Sequence, residues 1–230
     1  MGNSQTNQTA NKLKGKVIHF LGDSITWGAC ANCVDKRYVN RIAAMTGAIC
    51  NNYGISGTRI ALQQQPSNYP SFDQDFCSRV EKMDPHADIV VVFGGTNDFG
   101  HGDAPVGTDK DETADTFCGA LHVLYQRLKN RYPDAWIVVL TPLHRVGEDN
   151  IYGDGSKKVP TRPLKDYVEQ IRKTATHYGF PVLDLYQVRE LDPNDEVIHR
   201  DLMPDGLHPN AEGHAILAEK IADYLQKNAK

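Results

Sequence analysis

The sequence predicts an α/β fold in which helices cover both faces of a five-stranded parallel sheet. Short β-rich runs alternate with amphipathic helical patterns along the chain, and this alternation is typical of a doubly wound sheet. Two of the runs, 89–93 and 136–141, are almost continuously apolar, as strands buried on both faces require. Since five strands fit the flavodoxin-like arrangement, we expect the strand order 2-1-3-4-5.

The secondary structure elements follow from short runs and from helical periodicity. The candidate strands are 17–21, 48–53, 89–93, 136–141 and 181–184. Three helices are indicated by apolar residues that recur every three or four positions. These stripes are Ala114, Phe117, Leu121, Leu124 and Leu128; Leu164, Tyr167, Val168, Ile171, Ala175 and Tyr178; and Leu217, Ile221, Tyr224 and Leu225. Pro209 is predicted to occupy the first position of the last helix, where its missing N–H costs nothing.

The chain is predicted to consist of a disordered polar tail, residues 1–14, and a single domain, residues 15–230. The tail is rich in Asn, Gln, Thr and Ser and lacks the apolar stretch of a secretory signal. We therefore expect a cytoplasmic protein, although a secreted protein whose signal has been removed would look the same. The sequence leaves the oligomeric state open.

Composition excludes several classes of partner. The formal net charge of −4 offers no clustered basic surface for nucleic acid. The apolar runs are too short to span a membrane. We therefore expect a small-molecule or glycan substrate. We expect no binding to nucleic acid and no membrane-spanning segment.

No metal or organic cofactor is expected. Cys30 and Cys33 have a spacing found in redox and zinc sites, but no second pair stands at zinc-finger spacing. We interpret them as loop residues. Asp103, Asp109, Asp111 and Glu112 lack the spacing of a calcium-binding loop and are predicted to form a solvated acidic loop.

Two long connections leave the carboxyl edge of the predicted sheet, where ligands bind in open α/β folds. They are 101–112, after the third strand, and 143–163, after the fourth. Because long loops in compact domains are usually functional or disordered, we expect these two to form the walls of a substrate cleft.

Ser24 is the candidate nucleophile. The segment Gly22-Asp23-Ser24 directly follows the first strand, so backbone N–H groups of the next turn can hold an oxyanion beside the hydroxyl. The same pattern also fits a turn with a capping serine. Thr26 stands where the G-x-S-x-G elbow of α/β-hydrolases needs glycine, so that class is excluded.

His208 is the candidate base. Asp205 lies three residues before it, close enough to orient the imidazole across one turn. A turn with an aspartate at its start is the alternative interpretation. Gly54 and Asn97, at the ends of strands two and three, are candidate oxyanion donors, although each also fits ordinary strand-end turn chemistry. The four segments that carry these candidates all fall on one edge of the predicted sheet; the candidates are Ser24, Gly54, Asn97 and His208.

With these four blocks in this order, the sequence resembles the SGNH hydrolases, also called the GDSL esterase/lipase family. The match runs through Gly22-Asp23-Ser24-Ile25, then Gly54, then Gly95-Thr96-Asn97-Asp98, then Asp205-Gly206-Leu207-His208. Ile25 stands where the family name has Leu. The resemblance implies a three-layer α/β/α fold, Ser24 as nucleophile, His208 as base and Asp205 as its partner. It also implies an oxyanion hole made by Ser24, Gly54 and Asn97.

The resemblance implies a serine esterase that hydrolyses carboxylic esters, with carbohydrate acetate as one candidate substrate. A lysophospholipase or thioesterase would use the same residues. A non-catalytic ligand-binding domain and a flavodoxin-like nucleotide binder remain as alternatives from other classes. Trp27 and His144 are tentative substrate contacts, and for His144 and Arg145 the alternative is a solvated loop.

Overall fold

The strand order of the sheet is the one that the sequence predicts. In a computed structural model, which describes residues 11–229, five parallel strands lie in the order β2-β1-β3-β4-β5. They are β1 (Val17–Gly22), β2 (Ile49–Gly54), β3 (Ile89–Phe93), β4 (Trp136–Leu140) and β5 (Val182–Leu183). The predicted fold class, a doubly wound five-stranded α/β sheet, is confirmed.

Helices connect the strands and cover the sheet. The α-helices of the described residues are α1 (Ser24–Trp27), α2 (Tyr38–Thr46), α3 (Phe76–Arg79), α4 (Thr96–Gly100), α5 (Phe117–Arg131), α6 (Leu164–His177), α7 (Glu196–Leu202) and α8 (Ala211–Asn228). No helix in this part of the chain is long and apolar enough to cross a membrane.

Two hydrophobic clusters lie on opposite faces of the sheet, as a three-layer architecture requires. One cluster contains apolar residues of α3, α5 and α6, and the other contains those of α2 and α8. Successive residues of β3 point to opposite faces, so Val90 and Val92 join the first cluster while Ile89, Val91 and Phe93 join the second. The two outer layers therefore hold the central strands from both sides.

Helix caps set two boundaries that differ from the prediction. Thr116 accepts a hydrogen bond from Gly119 N–H, so α5 begins at Phe117 and Ala114 lies before it. Asn210 caps α8, where its side chain accepts from the N–H groups of the first turn. Pro209 therefore lies outside that helix, because the asparagine supplies the cap and the helix begins two residues later than expected.

The predicted polar tail is shorter than 14 residues. Its first ten residues lie outside the described part of the chain, whereas residues 12–15 form a turn from which Leu13 packs into the second cluster. Leu13 is fully buried there, and Asn11 Nδ2 donates to Thr46 O at 2.8 Å. The prediction that the tail reaches Lys14 is wrong, because Leu13 contributes apolar surface to the core.

Candidate active site

Ser24 is the first residue of α1 and directly follows the carboxyl end of β1. Asp23 caps this short helix, with Oδ1 accepting from Ile25 N–H at 3.0 Å. The first N–H groups of a helix have no acceptor within the helix, and the Ser24 N–H has none elsewhere among residues 11–229. A hydroxyl and an unpaired N–H therefore stand together at the edge of the sheet.

Ser24, His208 and Asp205 form a continuous chain of hydrogen bonds. Ser24 Oγ lies 2.8 Å from His208 Nε2, and His208 Nδ1 lies 2.6 Å from Asp205 Oδ2. An imidazole protonated on Nδ1 donates to the carboxylate and leaves Nε2 free to accept the hydroxyl proton. This geometry is that of a nucleophile, a base and the group that orients the base.

The backbone of the turn 205–208 fixes the Asp205 carboxylate. Its Oδ1 accepts from Leu207 N–H at 2.9 Å and from His208 N–H at 2.7 Å, which leaves Oδ2 for the imidazole. Partial burial alone would raise the pKa of Asp205, but the hydrogen bonds from His208 and Leu207 outweigh it and hold the pKa well below its usual range. The carboxylate therefore stays charged and can stabilise a protonated His208.

Gly54 does not offer its N–H to the site. The Ile55 N–H crosses to Gly22 O on β1, so the Gly54 N–H points the other way, where Asn52 Oδ1 accepts it at 2.8 Å. Successive N–H groups of a strand alternate in this manner. The glycine is required for another reason: a Cβ at Gly54 would lie 2.2 Å from Trp27 N. Gly54 thus lets α1 pack against β2.

Asn97 and the segment that carries Gly57 are joined at the edge of the sheet where Ser24 lies. Asn97 is buried in the first turn of α4, and its Nδ2 donates to Thr58 O at 3.0 Å. An amide nitrogen has two hydrogens, and the second has no acceptor among the described residues. Gly57, one residue before Thr58, is buried, has a φ of +74°, and has an N–H that no described group accepts. Gly57 is not among the site residues predicted from the sequence.

Two buried charged side chains, also unforeseen, hold the segment that carries Gly57. Asp98 accepts from Ile60 N–H and Ala61 N–H, each at 2.9 Å. Arg79 donates to Gly22 O at 3.0 Å and to Thr58 Oγ1 at 3.1 Å. These contacts tie the loop after β2 to the ends of β1 and β3. Nothing in the sequence around Arg79 marks it for this role.

The tentative substrate contacts have different outcomes. Trp27 is the last residue of α1 and is 46% exposed, with the Arg37 guanidinium 5.0 Å from its ring centre. His144 is buried, where it stacks on Tyr186 and lies 2.9 Å from Glu148 Oε1, rather than in contact with Ser24 or His208. The proposal of a substrate contact for His144 is therefore withdrawn.

Arg145 is buried as well, so the alternative of a solvated loop is also wrong. Its guanidinium donates to Thr96 O at 3.2 Å and lies 5.4 Å from the centre of the Phe99 ring. The neighbouring Val146 N–H donates to Gly206 O at 2.8 Å. The loop after β4 therefore packs against both α4 and the turn that carries Asp205 and His208.

The two long connections line a cavity of about 760 Å³ on the same edge of the sheet. Its walls come from residues 101–107 and 156–162, joined by Gln63, Gln65 and Pro66. Ser24, Asn97 and His208 do not line it. Asn97 O nevertheless accepts from His101 N–H and Gly102 N–H, so hydrogen bonds join two residues of the cavity wall directly to Asn97.

Potential metal ligands converge at one place among the described residues. One ligand atom from each of Cys30, Asp205 and His208 lies within 4.8 Å of the other two. The predicted acidic loop is not simply solvated, because protein groups engage its carboxylates. Asp103 accepts from Gln64 and Gln65 N–H groups, Asp109 pairs with Lys173, and Asp111 accepts from Thr108 and Thr116.

Asp23 combines complete burial with a carboxyl group. Burial raises the pKa of Asp23 to about 6, although the Ile25 N–H and the charges of His208 and Arg79 act in the opposite direction. The folded state therefore binds a proton more tightly than the unfolded state. Between the unfolded value of 3.8 and the folded value of about 6, the free energy of unfolding falls as the pH rises.

We expect Asp23→Asn to stabilise the fold at pH 8 by about 2–3 kcal/mol and to have little effect at pH 4. The asparagine oxygen keeps the bond to Ile25 N–H but carries no charge that burial would penalise. Urea unfolding at both pH values measures the difference. If the free energy of unfolding changes by the same amount at both pH values, the pKa of Asp23 is not raised in the folded state.

Comparison with known proteins agrees with this architecture. The solved structure of a protein from Lactobacillus plantarum shares 28% sequence identity, with a TM-score of 0.79 over 94% of this chain and 99% of that one. A lipase/acylhydrolase from Enterococcus faecalis shares 24% identity, with a TM-score of 0.60 over 94% of this chain and 97% of the other. The second likeness shows the fold alone. No curated protein matches the chain.

The family model of the GDSL-like Lipase/Acylhydrolase family matches residues 20–216. The match begins within β1, before Ser24, and ends within α8, after His208, so it covers every element that carries the site. The chain belongs to the GDSL-like lipase/acylhydrolase family and is a hydrolase that acts on ester bonds.

Proposed function

We propose that this ester hydrolase cleaves carboxylic esters through an acyl-enzyme on Ser24. The observation that supports the proposal is the unbroken chain of hydrogen bonds from Ser24 Oγ through His208 to Asp205. Such a chain gives a serine hydroxyl the base it needs to become a nucleophile near neutral pH.

In the first step, His208 Nε2 takes the hydroxyl proton while Ser24 Oγ attacks the ester carbonyl carbon. The positive charge that develops on the imidazole is stabilised by Asp205, which remains a carboxylate. When the tetrahedral intermediate collapses, His208 returns the proton to the leaving alcohol. An acyl group is then bound to Ser24.

The oxyanion of this intermediate is held by three donors. They are the N–H groups of Ser24 and Gly57 and the second amide hydrogen of Asn97, for which the structure has no acceptor among residues 11–229. Gly57 replaces Gly54 as the expected donor, since the Gly54 N–H already donates to Asn52 Oδ1. Thr58 O holds the Asn97 amide in place, so the donor needs little reorganisation during the reaction.

In the second step, water attacks the acyl-enzyme with the same groups in the same roles. His208 Nε2 removes a proton from the water, and the oxyanion donors hold the new tetrahedral intermediate. Collapse releases the carboxylic acid and restores the Ser24 hydroxyl. Every proton transfer in the cycle is carried out by His208.

The cavity favours the acetate of an acidic sugar as substrate. Lys158 and Arg162 line it without an ion pair to any described carboxylate, whereas the Asp103 carboxylate is taken up by two backbone N–H groups. Gln63 Oε1 is buried without a hydrogen-bond partner and could accept from a sugar hydroxyl. An alcohol half with hydroxyls and a carboxylate would find partners in these polar and cationic groups, and its sugar ring would pack on the apolar part of the wall, which includes Val106 and Val159.

Ser24→Ala should lower kcat for nitrophenyl acetate by at least about 10³-fold, because the nucleophile is lost. Asn97→Ala should lower kcat by about 10²–10³-fold with a smaller change in KM, since it removes one oxyanion donor. Steady-state kinetics on acetyl to decanoyl nitrophenyl esters measures both effects. Turnover by Ser24→Ala at the wild-type rate would overturn the mechanism, and a preference for decanoyl esters would favour a lipid substrate instead.

The charge of the cavity has its own test. In the double variant Lys158→Ala, Arg162→Ala, kcat/KM for an acetylated uronic acid should fall about 10-fold relative to that for nitrophenyl acetate, because two charge-assisted contacts are lost. Lys129→Ala, on the exposed face of α5, is the matched control. If the ratio of the two kcat/KM values, uronic acid ester over nitrophenyl acetate, is the same in the double variant and in Lys129→Ala, the cavity does not bind the acidic part of the substrate.

A further inference from the structure

The thiol of Cys30 lies beside the Asp205–His208 pair, although the two are far apart in the chain. Cys30 Sγ is 3.9 Å from Asp205 Oδ2, the same oxygen that accepts the His208 Nδ1 bond. One ligand atom from each of the three residues lies within 4.8 Å of the others. We infer that Cys30, Asp205 and His208 form a binding site for a thiophilic divalent cation such as Zn²⁺.

The three donors are a set that zinc prefers. Thiolate sulfur, imidazole nitrogen and carboxylate oxygen all bind Zn²⁺, and three protein ligands with water as the fourth are common at such sites. The Asp205 carboxylate is already oriented, because its Oδ1 accepts from the N–H groups of Leu207 and His208. Oδ2 therefore remains to coordinate the ion, and the backbone bonds act as the outer support that metal ligands usually have.

Coordination of a metal ion requires side-chain rotation, since the ligand atoms of the three residues are separated by up to 4.8 Å. In a tetrahedral zinc site, ligand atoms lie about 3.4–3.6 Å apart. The gap of 3.9 Å between Cys30 Sγ and Asp205 Oδ2 would close slightly, and the gap of 2.6 Å between Asp205 Oδ2 and His208 Nδ1 would open. The cation then occupies the position of the proton that these two atoms share. The thiol proton is released to solvent as the Zn–S bond forms.

The turn that carries Cys30 is fixed to the active site by hydrogen bonds. Ala29 N–H donates to Ser24 O at 2.9 Å, and His214 Nε2 donates to Ala29 O at 3.2 Å. Cys30 itself has a φ of +61°, in the left-handed region that favours glycine. Cys33 is exposed and free but does not belong to the group of three ligands. A metal ion at Cys30 differs from the expectation that Cys30 and Cys33 are ordinary loop residues and that no metal is bound.

Zinc at this site would switch hydrolysis off, a consequence that rests on the proposed function. With the cation on Nδ1, the proton of a neutral imidazole must reside on Nε2. His208 then donates to Ser24 Oγ and cannot accept its proton. Asp205, held by the ion, no longer stabilises an imidazolium. The enzyme is therefore inhibited reversibly, and a chelator restores it.

Binding is tested with Cd²⁺ as the probe, because a cadmium–thiolate bond gives an ultraviolet charge-transfer band. Wild type, Cys30→Ser and Cys33→Ser are titrated as full-length proteins after removal of metal. The band should saturate at one equivalent in wild type and in Cys33→Ser and should be lost in Cys30→Ser. Ser24→Ala should keep the band, which separates metal binding from hydrolysis. A band of equal size in Cys30→Ser would overturn the site.

Inhibition is tested with Zn²⁺ on nitrophenyl acetate hydrolysis, each variant being compared with its own metal-free rate. Cys30→Ser should need at least about 10-fold more Zn²⁺ for half inhibition than wild type or Cys33→Ser. Equal sensitivity in all three would contradict the role of Cys30. A wild-type protein that binds Cd²⁺ but hydrolyses no ester would refute the proposed function and leave the metal site supported.

Discussion

The parallel register of β2, β1 and β3 is the constraint on which the site depends. Gly22, the last residue of β1, pairs with Gly54 on one side and with Phe93 on the other. The chain therefore leaves all three strands at one edge of the sheet, within a few residues of Ser24, Gly57 and Asn97. The hydrogen bonds of the ladder hold these exits in register, so loops that are remote in sequence deliver their polar groups to one place.

Buried charged groups stabilise this edge, and each burial carries a cost. Burial raises the pKa of Asp98, against which the N–H groups of Ile60 and Ala61 and the nearby Arg59 act. Arg79 offsets its own burial by donating to the carbonyls of Gly22 and Tyr53. Asp23 is compensated less completely, since Ile25 N–H is the hydrogen-bond donor it has among the described residues. Burying these charged groups around Ser24 therefore costs stability.

Much of the fold could be predicted because its signals are local. The apolar run of β3 was predicted with the observed ends, and the order of short strands and long helices was enough for the sheet topology. The first residue of a helix was harder to predict where a capping side chain determines it, as Asn210 does for α8. Leu13 was assigned to the tail because a single apolar residue among polar ones gives no periodic signal.

The sequence motifs predict which residues come together at the candidate site but not the directions of its backbone N–H groups. Ser24, Asp205 and His208 lie next to strand or helix ends, and hydrogen bonds join them in the expected order. The choice between Gly54 and Gly57 depends on which way an N–H points, and this follows from the pairing register and the turn after β2. The burial of His144 and Arg145 depends on how the loop after β4 folds back, which no short pattern encodes.

The central claim is that His208 activates Ser24 as the nucleophile, and active-site labelling tests it most directly. The native protein is treated with a fluorophosphonate, and the adduct is located by peptide mass spectrometry. The account predicts one adduct, on Ser24, with labelling at least about 10²-fold slower in His208→Ala because the base is absent. An adduct on another residue, or labelling of Ser24 at the same rate without His208, would contradict it.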